Sequence, residues 1–216
     1  IKNSEQIQLL DVGCADGKAL EIIISELPKK YHNKCVPNGI EISAALANEA
    51  QQKAKRGTWI HNNAVDGMLE FQDDYFDLVI LSSFLEHEIE PLKLLKNTYG
   101  KLKSNGKVII KVPNFDSWNR HLRKEKWCGF RHPDHVNYFT PATLKATAHK
   151  SGFSKFKMKL LELIFFTGIK MKAPKITYDS MPKNIEIKKL RKTWIKSRKS
   201  FEELVNALDK SILKKG

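Results

Sequence analysis

One stretch constrains this chain more than any other: Leu9-Leu10-Asp11-Val12-Gly13-Cys14-Ala15-Asp16-Gly17, an apolar run that breaks into small residues before a helix starts. Ile7 to Val12 reads as a buried strand. Lys18 to Leu27 reads as a helix with Leu20, Ile23, Ile24 and Leu27 on one face, stopped by Pro28. Between the two, Gly13 and Gly17 lack the Cβ atoms that would keep a ligand away from the backbone. The N–H groups entering the helix are expected to be free donors for an anionic group.

The pattern repeats along the chain. Val36 to Ile42 is a second strand that ends in Glu41, and Ser43 caps an alanine-rich helix to about Lys55. Thr58 to His61 is a third strand and Asn62 to Gly67 a polar connection. Phe76 to Leu81 is a fourth strand, continuous enough in apolar residues to be buried on both faces. Pro91 opens a helix that Ser104-Asn105-Gly106 ends; Lys107 to Val112 is the fifth strand, closed by Pro113-Asn114. After a long irregular insertion, Pro141 to Ser151 forms a helix ended by Gly152, and Phe153 to Leu161 reads as a further strand. Strands alternating with helices predict an α/β fold: a doubly wound, Rossmann-like, mostly parallel sheet with helices on both faces. We expect this core to span residues 1–156. Residues 157–216 are expected to be a basic, largely helical extension, with amphipathic spacing between about Ile185 and Leu213 suited to packing, a lid or a dimer contact.

Composition narrows the partners. Thirty-eight basic against 24 acidic residues leave a net charge of +14. Sixteen Lys/Arg and six Asp/Glu lie between Lys157 and Gly216, so most of that excess is in the tail. Such a tail suits a solvated helical face, an anionic membrane surface or nucleic acid. No apolar run approaches the roughly 20 residues that span a bilayer. The opening residues lack a basic start followed by an apolar stretch, so a cytoplasmic location is expected, with peripheral membrane contact through the tail as an option. Cys14, Cys35 and Cys128 form no CxxC pair and no zinc-ligand spacing, which reads as three reduced thiols.

Four motifs in order, on the strands and turns just described, resemble the class I S-adenosylmethionine-dependent methyltransferases, in the type 11/23-like branch. They are Leu10 to Gly17, then Gly39-Ile40-Glu41-Ile42-Ser43, then Phe76-Asp77-Leu78-Val79 running into Leu85-Glu86-His87, and finally Leu102-Lys103-Ser104-Asn105-Gly106-Lys107 leading to Val112-Pro113-Asn114. The resemblance covers roughly Leu9 to Phe153 and implies S-adenosyl-L-methionine as cofactor and S-adenosyl-L-homocysteine as product. Carried onto this sequence, it places Gly13, Cys14 and Ala15 along the methionine end, with Asp11 orienting that loop and Gly17 closing it. Glu41 would accept both ribose hydroxyls, as a carboxylate with two acceptor oxygens can. Ile42 would pack on adenine, Asn63 and Ala64 would read its edge, and Ser82 or Ser83 would sit near the sulfonium. Ala15 stands where the family more often has glycine. A nicotinamide fingerprint would need G-x-G-x-x-G, which Gly13, Ala15 and Gly17 do not spell. The family's sheet ends in an antiparallel hairpin, for which either Ile164 to Met171 serves as the last strand or the sequence stops short of it.

Methyl transfer from a sulfonium is an in-line displacement, so holding the nucleophile close and aligned supplies most of the catalysis. A base is needed only where the acceptor must lose a proton. His87 and His135 are the candidates, since histidine titrates near neutral pH; each also has a structural reading, as a residue that orients its loop. His132, Asp134 and His135 are ligand types without an established ligand spacing, and no metal site is expected. Trp118, Trp127 and Phe130 can line an acceptor pocket or belong to the core. The leading expectation is O-methylation of a small-molecule, glycan or quinone-type acceptor. The alternatives are an RNA methyltransferase that uses the basic tail and a non-catalytic S-adenosylmethionine-binding scaffold.

Overall fold

The computed structural model describes residues 6–54, 56–160 and 163–170. The elements are β1 (Ile7–Val12), α1 (Lys18–Ser25), α2 (Lys29–His32), β2 (Cys35–Glu41), α3 (Ala44–Lys53), β3 (Trp59–His61), α4 (Ala64–Leu69), β4 (Phe76–Ser82), α5 (Pro91–Lys101), β5 (Leu102–Pro113), α6 (Trp118–Arg123), a 3₁₀ turn at Lys124–Lys126, α7 (Pro141–Lys150), β6 (Lys155–Leu160) and β7 (Leu163–Ile169). The seven strands form one sheet in the order β3-β2-β1-β4-β5-β7-β6. β1 to β5 pair in parallel, and β7 runs antiparallel to both β5 and β6. The order reverses between β1 and β4, and in an open α/β sheet the crevice at the carboxyl ends of such a pair is where ligands bind.

The core follows from strand periodicity. Leu10, Val12, Val79, Leu81, Val108, Ile110 and Val112 pack with Leu94 and Leu95 of α5, Val65 and Met68 of α4 and Leu144 of α7. Leu9, Leu78 and Ile80, at the alternate positions and equally buried, face the other side. There α1 and α3 contribute the buried Leu20, Ile23, Ala47 and Ala50. One buried amide ties the first three strands. Asn38 Nδ2 donates to Leu9 O (2.9 Å), Val36 O (3.2 Å) and Gln8 Oε1 (3.2 Å), and its Oδ1 accepts from Thr58 N (3.0 Å). At the opposite end of the sheet from the crevice, Asp77 Oδ2 accepts from Gln8 N (2.9 Å) and Lys103 Nζ (2.7 Å).

Three expectations change. Asn62 to Gly67 is not a plain connection: Asn63 accepts from Asp66 N at 2.9 Å and so caps α4, whose Val65 and Met68 drop into the core. Ser104-Asn105-Gly106 does not end α5, which stops at Lys101 because Leu102 turns extended and goes into the core. These residues instead make an excursion within β5, with Asn105 left-handed (φ 68) and its N–H on Lys170 O at 2.7 Å. Finally, the boundary expected after residue 156 falls inside β6. Residues 157–160 and 163–169 are strand rather than helix, and β7 fills the place left open for the last strand. The amphipathic helices expected between about Ile185 and Leu213, with most of the basic tail, lie outside the described residues. Among the described residues no helix is long and apolar enough to cross a membrane.

Candidate active site

β1 and β2 end side by side, with Asp11 level with Gly39 and Val12 level with Ile40. The chain then turns through three residues with positive φ, Gly13 (75°), Ala15 (48°) and Gly17 (78°), before α1. Gly13 and Gly17 are also sites of close approach. A Cβ on Gly13 would stand 2.4 Å from Phe84 Cδ2, and one on Gly17 would stand 2.7 Å from the Trp59 ring. Phe84, on the loop after β4, therefore lies directly over the glycine turn.

The turn is held by its own hydrogen bonds. Gly13 N and Cys14 N donate to Ile40 O (2.9 and 3.2 Å), Gly17 N to Cys14 O (2.9 Å), and Lys18 N to Asp16 Oδ1 (3.3 Å). Ala15 N donates to Glu41 Oε2 at 2.9 Å. The N–H groups of Gly13, Cys14, Ala15, Gly17 and Lys18 thus fix the shape of the turn, and Gly17, the N-cap of α1, offers no side-chain cap to the helix N–H groups that follow. Glu41 accepts on its other oxygen as well, from Ser43 N at 2.9 Å, so its carboxylate is oriented by both flanking loops. Ile42, beside it, is 72% exposed, an apolar surface open to a flat partner. His61 Nε2 lies 3.1 Å from Ile42 O.

Electrostatics favours a cation at this end. Asp11 is buried, and burial, reinforced by the Glu41 charge and opposed by Lys111, raises its pKa to about 7. Burial and the neighbouring carboxylates push the Cys14 thiol up to about 12, so it stays protonated. A ligand carrying positive charge beside Asp11 and Glu41 relieves their mutual repulsion. The adenine-side candidates stand at the start of α4. Asn63 has both side-chain atoms on Asp66, at 2.9 Å from its N and 2.7 Å from its Oδ2, and Ala64 is buried in the first turn of α4. Ser82 and Ser83 are exposed at the end of β4, where Ser83 takes φ 54° and donates its N–H to Lys111 O at 2.8 Å.

The second cluster joins the loop after β4 to the loop before α7. Val136 N and Asn137 N both donate to Glu86 O at 3.0 Å. This brings the His87 and His135 rings to 4.7 Å between centroids, edge to face. His87 Nδ1 lies 2.8 Å from Asp134 O and His135 Nδ1 2.8 Å from Gly129 O. A carbonyl only accepts, so the Nδ1 of each ring is a protonated donor, and in the neutral tautomer of either ring Nε2 keeps its lone pair. His87 is exposed and His135 buried; burial is the main cause that holds the His135 pKa below the ordinary value. Beside them, Phe115, Trp127, Phe130 and Tyr138 form a set of ring contacts. Of the aromatics expected in the insertion, Trp127 is core, Phe130 is partly exposed and Trp118 stands outside. Glu86 was not among the expected site residues. It is 1% exposed, and its signal is a carboxylate directly before His87 in the loop that follows an apolar strand.

A parallel five-strand sheet closed by an antiparallel pair, with a glycine turn after the first strand and an acid ending the second, defines a class I S-adenosylmethionine-dependent methyltransferase. The chain belongs to the methyltransferase-domain family, whose profile matches residues 2–157. Its cofactor is S-adenosylmethionine. An uncharacterized protein of Methanocaldococcus jannaschii is 26% identical over 154 residues, 70% of this chain and 72% of that one. A SAM-dependent methyltransferase from Archaeoglobus fulgidus matches in fold with a TM-score of 0.56 at 22% identity, over 97% of this chain and 79% of the other. An N-methyltransferase from Haemonchus contortus, solved with phosphomonomethylethanolamine and S-adenosylhomocysteine, matches with a TM-score of 0.58 at 15% identity. That match takes in 78% of this chain and spans only half of the Haemonchus protein.

Proposed function

We propose that this methyltransferase moves the S-adenosylmethionine methyl group onto an oxygen of a small-molecule, glycan or quinone-type acceptor. The observation that carries the reading is the His87–His135 pair at 4.7 Å, set beside the loop whose Phe84 covers the glycine turn. Two imidazoles with free Nε2 atoms suit an acceptor that must lose a proton, as a hydroxyl does. On the donor side, Asp11, Gly13, Cys14, Ala15 and Gly17 would line the methionine end and Glu41 would take the ribose diol. Ile42 would lie on adenine, with Asn63 and Ala64 at its edge through α4, and Ser82 and Ser83 would border the sulfonium. Transfer forms the O–CH₃ bond as the S–CH₃ bond breaks. The bonding pair stays on sulfur, leaving neutral S-adenosylhomocysteine, and the hydroxyl proton leaves towards the histidine pair.

Incubation with methyl-labelled S-adenosylmethionine and a panel of phenols, catechols and sugars, run beside amines and thiols, tests the reading. Labelled methyl ethers are the expected product. Transfer confined to nitrogen, carbon or sulfur would replace oxygen as the acceptor.

A further inference from the structure

The side chain of Glu86 poses a problem that the methyl-transfer chemistry above does not use. It is 1% exposed, and its Oε2 is buried with no hydrogen-bond partner among the described residues. An ionised carboxylate oxygen in that position forfeits its hydration without replacement, which is costly unless a charge compensates. Burial accordingly raises its pKa, although a main-chain hydrogen bond to the carboxyl group and the His87 and Lys111 charges act the other way. The two imidazoles are its neighbours: one nitrogen from each of His87 and His135 and a Glu86 carboxylate oxygen all lie within 4.8 Å of one another.

We propose that Glu86, His87 and His135 bind a divalent first-row cation of the zinc type, with one carboxylate oxygen and one nitrogen from each ring as ligands. Two imidazoles and one carboxylate are a borderline-soft donor set that suits such an ion better than magnesium. Each ring also has the outer-sphere partner that metal-binding histidines use, an Nδ1–H on a main-chain carbonyl (Asp134 O and Gly129 O, 2.8 Å each), which leaves Nε2 as the ligand atom. Bonds of about 2.1 Å in tetrahedral geometry put ligand atoms about 3.4 Å apart. Donor atoms now within 4.8 Å of one another would have to draw together by about 1 Å, and His87 is the exposed member of the three. Three protein ligands leave a coordination position for an acceptor oxygen; with the ion bound, both imidazoles would serve as ligands in place of the base role given to them above, and the acceptor proton would pass to solvent on coordination. The assignment rests on the acceptor role given above to this pair, but binding of the ion is measurable without turnover.

The test uses the full chain, stripped with chelator, in a Cys128→Ser background that removes the exposed thiol. Calorimetry with Zn²⁺ and visible absorption with Co²⁺ read the site, and S-adenosylhomocysteine affinity is measured on the same samples. The expected result is one Zn²⁺ per chain, a Co²⁺ spectrum of mixed nitrogen and oxygen ligation, and Zn²⁺ binding at least about 100-fold weaker in Glu86→Gln, His87→Ala and His135→Ala. His132→Ala should bind as the parent does. Because His87 is exposed, His87→Ala keeps the test valid should either buried substitution fail to fold. The proposal is overturned if Zn²⁺ does not bind, if it binds equally well to His87→Ala, or if Mg²⁺ is held more tightly than Zn²⁺. Loss of S-adenosylhomocysteine binding by the parent chain would instead strike the donor-site reading.

Discussion

The two sides of the crevice are built by different means. On the β1–β2 side, the partners are placed by sheet register: Gly13 N reaches Ile40 O, and Ala15 N and Ser43 N share the Glu41 carboxylate, because two parallel strands end level. On the β4 side, His87 and His135 stand 48 positions apart and meet because two loops are stitched together by Val136 N and Asn137 N on Glu86 O, His87 Nδ1 at Asp134 O and Asn137 Nδ2 on Glu88 O. A register set by seven paired strands resists local change, whereas a loop-to-loop contact is the element a family can redraw. The difference teaches that the donor and acceptor halves should respond to mutation separately.

The sharpest way to break that comparison is His135→Ala. Methyl transfer is expected to fall by about 10²–10⁴-fold, with S-adenosylhomocysteine affinity within about 0.5 kcal/mol of the parent by calorimetry. A matching loss of affinity would merge the two halves. Next comes Glu41→Ala, which would remove the two charge-assisted contacts proposed for the ribose diol and should weaken donor binding roughly 100-fold. The defect should lie in KM for S-adenosylmethionine, and a fall in kcat at saturating donor would count against a pure donor role.

Asp11 gives a smaller, pH-dependent effect. Its folded pKa is raised from 3.8 to about 7, so the native state holds a proton the unfolded chain has lost. The stability tied to this group is fully present below about pH 4 and is lost as pH rises through about 7. Asp11→Asn should therefore gain on the parent by about 2 kcal/mol or more in urea unfolding at about pH 8 and show no gain at about pH 4. A constant difference at both pH values would remove the buried-carboxylate account. Smallest is Ala15→Gly. Relief of the left-handed conformation at φ 48, worth about 1 kcal/mol, is offset by the greater freedom of glycine in the unfolded chain. The net change should stay below about 1 kcal/mol, and a change in donor affinity of more than about 1 kcal/mol would show that the methyl group itself shapes the turn.

Much of the donor half was legible because its signals are local: glycines at a strand-to-helix turn, an acid closing a strand, a serine capping the next helix. Even there, the partner that fixes the turn is not legible locally, since the Ile40 carbonyl that takes Gly13 N and Cys14 N belongs to another strand. α4 was missed because a six-residue helix carrying Asp66 and Gly67 shows no full period, and only its burial against the sheet makes Val65 and Met68 informative. The β5 excursion was missed for a related reason: Asn105 and Gly106 look like a helix stop until Lys170 arrives from the far end of the fold to pair with them. On the acceptor half, the two histidines were visible as residue types, but their meeting and the burial of Glu86 depend on loops whose path no periodicity encodes.

Glu86 divides its labour by atom type. Its carbonyl oxygen helps fasten the two loops, and every amino acid at that position has one; its buried carboxyl Oε2 takes no part in that join. A swap at residue 86 consequently edits the chemistry of the pocket while leaving its joinery in place, a rare clean separation for a residue so deeply enclosed.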